Sequence, residues 1–342
     1  MHTNEPSVAP GTDLVTALAR ASAQPLWDRY QRITRRQPLG LGAPGHWPWA
    51  RMAPLIARAV AEVSMADAER RVLLLTHTDL PGAATTGNLL AGLQTLLPGE
   101  VAHPHRHTIA ALRFVMEGEG ARTTVNDEAC AMVAGDLVLT PAWTWHGHTH
   151  AGTDRMVWFD GLDLPLCAHL DTMFFEPGVP PLRHADPPPT RPSPPQPGVA
   201  TLGPDAVDDP AGSRFRYAAA RARAALAAAP ASPDGSRRLR YVDGRSGGPV
   251  LPSLDCHLTA LAPSRRGAAH RSTASVVCVV VAGEGRSEIG DQTLHWTRND
   301  VLVLPHWQWV RHQAGPDGAT LFSMSDRELL DSLHYLREET QA

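Results

Sequence analysis

His105 and His107 stand two apart in HRHTIAALRF, with Arg113 six residues further on, and His146 and His148 stand two apart in LTPAWTWHGH. Residues two apart on a strand share a face, so His105, His107 and Arg113 project together, as do His146 and His148. In a narrow β-barrel that face can be the interior. Two imidazoles from one strand and a third from a returning strand can then converge on one metal ion. Imidazole suits iron, zinc, copper and nickel, so ligand type alone does not choose the metal. A single histidine is far more often a surface or hydrogen-bonded core residue. The doubled H-x-H spacing inside β texture separates these from the rest of the 17 histidines.

The elements that must position them are short β runs. From Asn88 to Glu176 the segments LLAGLQTLL, LRFVMEG, ARTTVN, DLVLTP and RMVWFDGLD are separated by Gly, Asp and Pro and have no helical period. Such spacing implies a sandwich or barrel. The texture returns from about Leu239 to Gln313, and the two regions are copies. HRHTIAALRFVMEGEG from His105 aligns with HRSTASVVCVVVAGEG from His270, and DLVLTPAWTWHGH aligns with DVLVLPHWQWVRH. The second copy keeps His270 but carries Ser272, Val310 and Cys278 where the first has His107, His146 and Arg113. One imidazole cannot hold a divalent ion, so that copy reads as structural, and His312, matching His148, has no metal to serve.

Around the copies, helical spacing is expected from Thr12 to about Gln37 and from Trp49 to Val63, with a short strand in RRVLLLTHTD. Residues 1–12 read as disordered. PGVPPLRHADPPPTRPSPPQPGVATLGPD is too proline-rich to fold internally and reads as a linker or surface strap. SRFRYAAARARAALAAA reads as helix, and DRELLDSLHYLREE as a closing amphipathic helix. The expected division is 1–85 for the N-terminal segment, 86–176 for the metal-binding barrel, 177–230 for linker and helix, 231–323 for the metal-free barrel and 324–342 for the last helix.

The chain has 342 residues and a net charge of −4, from 31 basic and 35 acidic residues without a like-charge run, and every non-histidine basic residue is arginine. That balance suggests neither a nucleic-acid nor a membrane surface. Four scattered cysteines argue against a disulfide framework or a zinc–thiolate site. No signal segment or long apolar run is apparent, so a cytoplasmic location is expected.

GLQTLLPGE, HRHTIAALRF, EGEG, LTPAWTWHGH and VWFDGLDLP together resemble the gentisate 1,2-dioxygenase family. The resemblance covers most of the chain and is weakest in the linker and second barrel. It implies an all-β core, a bicupin of two double-stranded β-helix (jelly-roll) barrels with N-terminal, linker and C-terminal helices. It also implies iron(II), a small aromatic acid substrate, O2, and a homotetramer. The implied reaction opens gentisate between its carboxyl- and hydroxyl-bearing carbons. By motif, the implied iron ligands are His105, His107 and His146. Many cupins add a Glu four or five positions after the second His; here those positions hold Ala111 and Leu112. Three neutral imidazoles leave the ion its full charge, which a chelating carboxylate and phenolate offset, ordering substrate ahead of oxygen.

Arg113 is the expected partner of the carboxylate or of developing negative charge. His148 is the expected acid/base or hydroxyl contact, with Asp160 orienting it. Gln94 resembles the family's substrate-contacting Gln, and Leu90, on the same strand face, takes a place the family usually gives to Tyr or Trp. Arg70 or Arg71 is a further candidate substrate contact, but adjacent residues point apart and the sequence does not choose between them. Alternatives are the same cleavage of salicylate, substituted salicylates or 1-hydroxy-2-naphthoate, and a non-catalytic small-molecule-binding bicupin. A cupin isomerase or zinc hydrolase is disfavoured by the missing carboxylate.

Overall fold

The computed structural model describes residues 13–40, 43–181, 183–209 and 211–341. The chain up to Leu39 is one compact unit, and Gly40 onward is another. In the first, Leu14–Arg20 is a helix whose N-terminal amides of Val15 and Thr16 donate to the Asp13 carboxylate, and Tyr30–Ile33 is one further turn. The expected helical stretch is therefore broken, with Pro25 in the gap. The disorder expected for residues 1–12 lies outside the described residues.

The second unit is a pair of β-barrels. In the first barrel one sheet runs, in order, 216–217, 137–140, 111–117, 156–162, 90–96 and 71–75. Its partner sheet runs 175–177, 101–107, 146–150, 119–125 and 128–133. The second barrel is a single ten-stranded sheet, because Val276–Ile289 and Val310–Ser325 are long enough to serve both of its walls. The expected helix at 49–63 is present as Trp49–Glu62, and the Ala/Arg helix as Ala219–Ala228.

Alternation sorts the side chains of the first sheet. Leu96, Val115, Met156 and Trp158 point inward and pack together. Leu93, Leu112, Phe114 and Phe159 point outward and join Leu258, Val279, Phe322 and Met324 of the second barrel in one core. Phe114 stacks on Phe322 with ring centroids 4.2 Å apart and planes 14° from parallel. Gly161 lets the sheets approach: a Cβ there would meet the Met324 sulfur at 2.2 Å.

Both barrels carry the same closing device. Arg106 lies over Trp143 and Trp145 at 4.3 and 5.0 Å, and pairs with Glu176. Arg271 lies over Trp307 and Trp309 at 4.3 and 4.8 Å, and pairs with Glu339. Each glutamate sits on a short strand, Phe175–Pro177 or Glu338–Gln341, that covers an otherwise open edge.

This edge pairing corrects the reading of the C-terminus. The helix spans only Arg327–Ser332 and ends at His334, whose φ is +60°. The chain then turns into the strand Glu338–Gln341, paired with Ala269–Ser272 and tied by Arg271–Glu339 and Arg327–Glu338. A local amphipathic pattern loses to the ladder bonds of an open edge. Leu164–His169 is likewise a short helix inside a region read as purely β, with Pro165 in its first turn.

The described residues of the proline-rich segment between Gly178 and Gly198 form no regular structure and pack on the second barrel. Ser193 accepts from Arg240 at 2.8 Å, Gln196 meets His257 at 3.2 Å, and the Pro187 carbonyl accepts from Arg245 at 3.0 Å. It ends as the strand Val199–Leu202, parallel to Arg237–Tyr241. No helix among the described residues is long and apolar enough to cross a membrane.

Because Phe322 is fully buried against Phe114, Phe159 and Tyr241, Phe322→Ala should cost about 3–5 kcal/mol. Calorimetric melting should show a large drop, with Phe322→Leu intermediate. A variant melting with the wild type would mean the two barrels do not depend on this contact.

Candidate active site

His105 and His107 lie on the strand Val101–His107, and His146 begins the antiparallel strand His146–His150, directly opposite His105. All three are buried. One ligand-capable atom from each lies within 4.8 Å of the other two, and the ring centroids are 4.2–5.1 Å apart.

Backbone carbonyls set the ring orientations. His107 Nδ1 is 2.8 Å from the Ile109 carbonyl and His146 Nδ1 is 3.0 Å from that of Thr144. Those nitrogens donate, which leaves the Nε2 lone pairs free. His146 Nε2 is buried without a partner. Burial, with help from Arg70 and His107, pulls the His105 pKa down to about 3, and burial pulls that of His107 down to about 4. His146 falls well below its ordinary value for the same first reason. Three neutral imidazoles around an orphaned lone pair fit a divalent ion, whose coordination would remove the cost of the unpaired nitrogen. His105 is the third case. Its Nδ1 lies 3.4 Å from the His103 carbonyl and also against an Nη of Arg70. With Nε2 on a metal, Nδ1 must carry the proton and face the carbonyl.

Around the triad, Gly92, Asp160 and Arg113 sit side by side on three adjacent strands, with Gln94, Trp158 and Val115 in the next row. Arg113 is buried and donates from Nη1 to Thr140 Oγ1 at 2.8 Å, and its Nε stands 3.6 Å from Asp160 Oδ1. Asp160 accepts from Trp158 Nε1 at 3.0 Å, and burial, opposed by Arg113, raises its pKa to about 6. Asp160 therefore orients Arg113 and does not reach His148, contrary to the sequence expectation. His148 is held instead by Thr123, whose Oγ1 lies 2.9 Å from Nδ1, while its Nε2 is buried without a partner. Gln94 is buried with an unpartnered Nε2. Leu90 is buried on the same strand face as Gly92 and Gln94, at the end of the strand.

The structure also separates the adjacent arginines. Arg71 turns to Glu100, whereas Arg70 donates to the His103 carbonyl at 2.5 Å and reaches His105. Thr123 and Thr140 carried no signal in the sequence, since each acts across a strand pair through a single hydroxyl.

A family model for the cupin domain matches residues 92–163. Gentisate 1,2 dioxygenase 1 of Aquipseudomonas alcaligenes is 36% identical over 92% of both chains. A 5-aminosalicylate 1,2-dioxygenase of a Comamonas species is 33% identical over 95% of this chain and 89% of its own. The crystal structure of salicylate 1,2-dioxygenase from Pseudoaminobacter salicylatoxidans with gentisate superposes with a TM-score of 0.83 at 29% identity, covering 99% of this chain and 96% of that one. The bicupin architecture, the three-histidine cluster and these near-full-length similarities agree, and the chain belongs to the gentisate 1,2-dioxygenase family of ring-cleaving enzymes.

Proposed function

We propose that the chain binds one iron(II) on His105, His107 and His146 and uses O2 to cleave gentisate between its carboxyl- and hydroxyl-bearing carbons, giving maleylpyruvate. The observation that carries this reading is the buried, neutral imidazole triad with an unpartnered Nε2, set beside a buried arginine. Bound iron(II) would supply the redox-active centre at which a chelating substrate and O2 meet.

The chain's own residues do the rest. Arg113, fixed by Thr140 and Asp160, presents a cation to the substrate carboxylate in a site too buried for water to screen it. Arg70 adds a second positive charge at the rim of the triad. His148 is neutral, because burial keeps its pKa well below the ordinary value, so a ring nitrogen can accept a hydrogen bond from a phenolic hydroxyl. The unpartnered Gln94 Nε2 is a donor for a substrate oxygen. Salicylate, substituted salicylates and 1-hydroxy-2-naphthoate offer the same carboxylate and ortho-hydroxyl pair. Gentisate is preferred because its 5-hydroxyl makes the ring a better electron donor to oxygen.

One iron per chain is expected after reconstitution. His105→Ala/His107→Ala should lose it, whereas His270→Ala should leave metal content and turnover unchanged; two irons per chain would refute the assignment.

Arg113→Lys keeps the charge but not the two-pronged geometry. Its kcat/KM should fall about 100-fold or more with metal still bound, the loss expected for a preorganised donor. Normal turnover would make Arg113 a structural partner of Asp160.

Oxygen uptake on adding gentisate tests the reaction itself, and a panel tests the substrate: gentisate, 3- and 4-alkyl gentisates, salicylate, 5-substituted salicylates and 1-hydroxy-2-naphthoate. Leu90 in place of an aromatic ring frees space at one side of the bound ring, so substituted gentisates should be accepted. Leu90→Trp should narrow the range while retaining metal; an unchanged ranking would remove Leu90 from the substrate wall. Salicylate outrunning gentisate by more than about tenfold, roughly 1.4 kcal/mol, would overturn the choice of substrate.

A further inference from the structure

The second barrel has lost its ligand set but not its polar lumen. By strand register His270 takes the place of His105, His312 that of His148, Ser287 that of Thr123 and Cys278 that of Arg113. One substitution runs the other way. Val72 lies opposite Gln94 in the first barrel, and the matching position opposite Thr259 holds Arg238. The second barrel thus gives up one inward cation and carries another three strands along the same sheet.

Arg238 makes no hydrogen bond or ion pair with any described residue, although protein surrounds it closely enough to lower its pKa. Arg238 and His270 are both exposed side chains, so the site they line is open to solvent. The other charges there are committed. Arg240 is buried against Asp255 at 2.9 Å and Glu328 at 3.2 Å. Arg327 pairs with Glu338 and Glu328. His257 stands 3.8 Å from Asp255 and contacts Gln196. Arg238 is the cation left over, and its charge reaches His257, His270 and His312.

The two lumen imidazoles are pre-set. Trp296 Nε1 can only donate, and it donates to Ser287 Oγ at 2.8 Å. The Ser287 hydroxyl has no other acceptor among the described residues, so its proton goes to His312 Nδ1, 2.7 Å away. A neutral His312 therefore carries its proton on Nε2, a donor without a protein partner. His270 has its ring centroid 6.2 Å from that of His312, and as a neutral imidazole it carries one lone pair able to accept. A guanidinium, an N–H donor and a lone-pair acceptor face one lumen.

We propose that the second barrel is a metal-free binding site for a small carboxylate with a neighbouring hydroxyl, such as a 2-hydroxybenzoate. Arg238 and His312 Nε2–H hold the carboxylate, and His270 accepts a hydrogen bond from the hydroxyl. The site uses second-barrel residues alone and stands whether or not the first barrel cleaves gentisate.

Equilibrium dialysis of salicylate against the iron-loaded protein without oxygen counts the sites. Two per chain are expected in the wild type, and one in Arg238→Gln. The His105→Ala/His107→Ala variant should retain one, and adding Arg238→Gln to it should leave none. Benzoate, which lacks the hydroxyl, should bind the second barrel about tenfold more weakly, for the loss of the hydrogen bond to His270. Arg238 has no partner to lose, so Arg238→Gln should melt with the wild type; should it fail to fold, His312→Gln carries the same expectation. One salicylate per chain in the wild type, two in a folded Arg238→Gln protein, or equal affinity for benzoate would overturn the proposal. Failure of gentisate turnover appears in oxygen uptake and leaves this count untouched.

Discussion

The first barrel is organised around keeping three imidazoles uncharged and aimed at one point. Protonating any of them inside this barrel would set a cation beside Arg113 and Arg70 with little water to screen it. Burial prevents that, and carbonyl partners on His107 and His146 fix which nitrogen keeps its lone pair. Strand alternation then dictates the rest. The face that carries His105 and His107 must be an interior face, and Arg113, Asp160, Gln94 and Leu90 reach the same interior from the opposing sheet because they occupy its inward positions.

Comparison of the two barrels separates scaffold from chemistry. The arginine held over two tryptophans recurs in both, down to the positive φ of Trp143 and Trp307 and the glutamate that completes each clamp. The lumens differ. One is built for a metal and a buried cation on the sheet's middle strands; the other trades those ligands for a salt-bridge network and an unpaired arginine at its mouth. Closure of an edge strand is a backbone requirement that every copy must meet, whereas the lumen is free to diverge once side chains replace the metal as filling.

What the sequence shows and what it hides follows from range. The histidine pairs, Arg113 and the internal repeat are short, periodic signals, and two-residue alternation carries them into the fold directly. Thr123 bonding His148 and Thr140 bonding Arg113 are single hydroxyl contacts between strands far apart in sequence, and nothing local marks them. Asp160 shows the limit in another way: alternation placed it on the right face, but its partner depended on which neighbour came within reach, and that was Arg113. The adjacent Arg70 and Arg71 could be told apart only once the strand's inner face was known. At the C-terminus an amphipathic pattern favoured helix, and an unfilled edge at Ala269–Ser272 outweighed it.

The face-to-face packing of the barrels also has a consequence in time. Chain order places the strands of the first barrel between Arg71 and Tyr217, while Phe322 and Met324, which cover its outer sheet, come much later. During synthesis the first barrel can close while Leu112, Phe114 and Phe159 still face water. At about 5–20 residues per second, that bare apolar wall lasts roughly five to twenty seconds. A nascent chain at this stage is an open hydrophobic surface tethered to a ribosome, and neighbouring chains on one message present the same surface to each other. Rapid translation through the linker and second barrel therefore favours the native pairing over contact between chains.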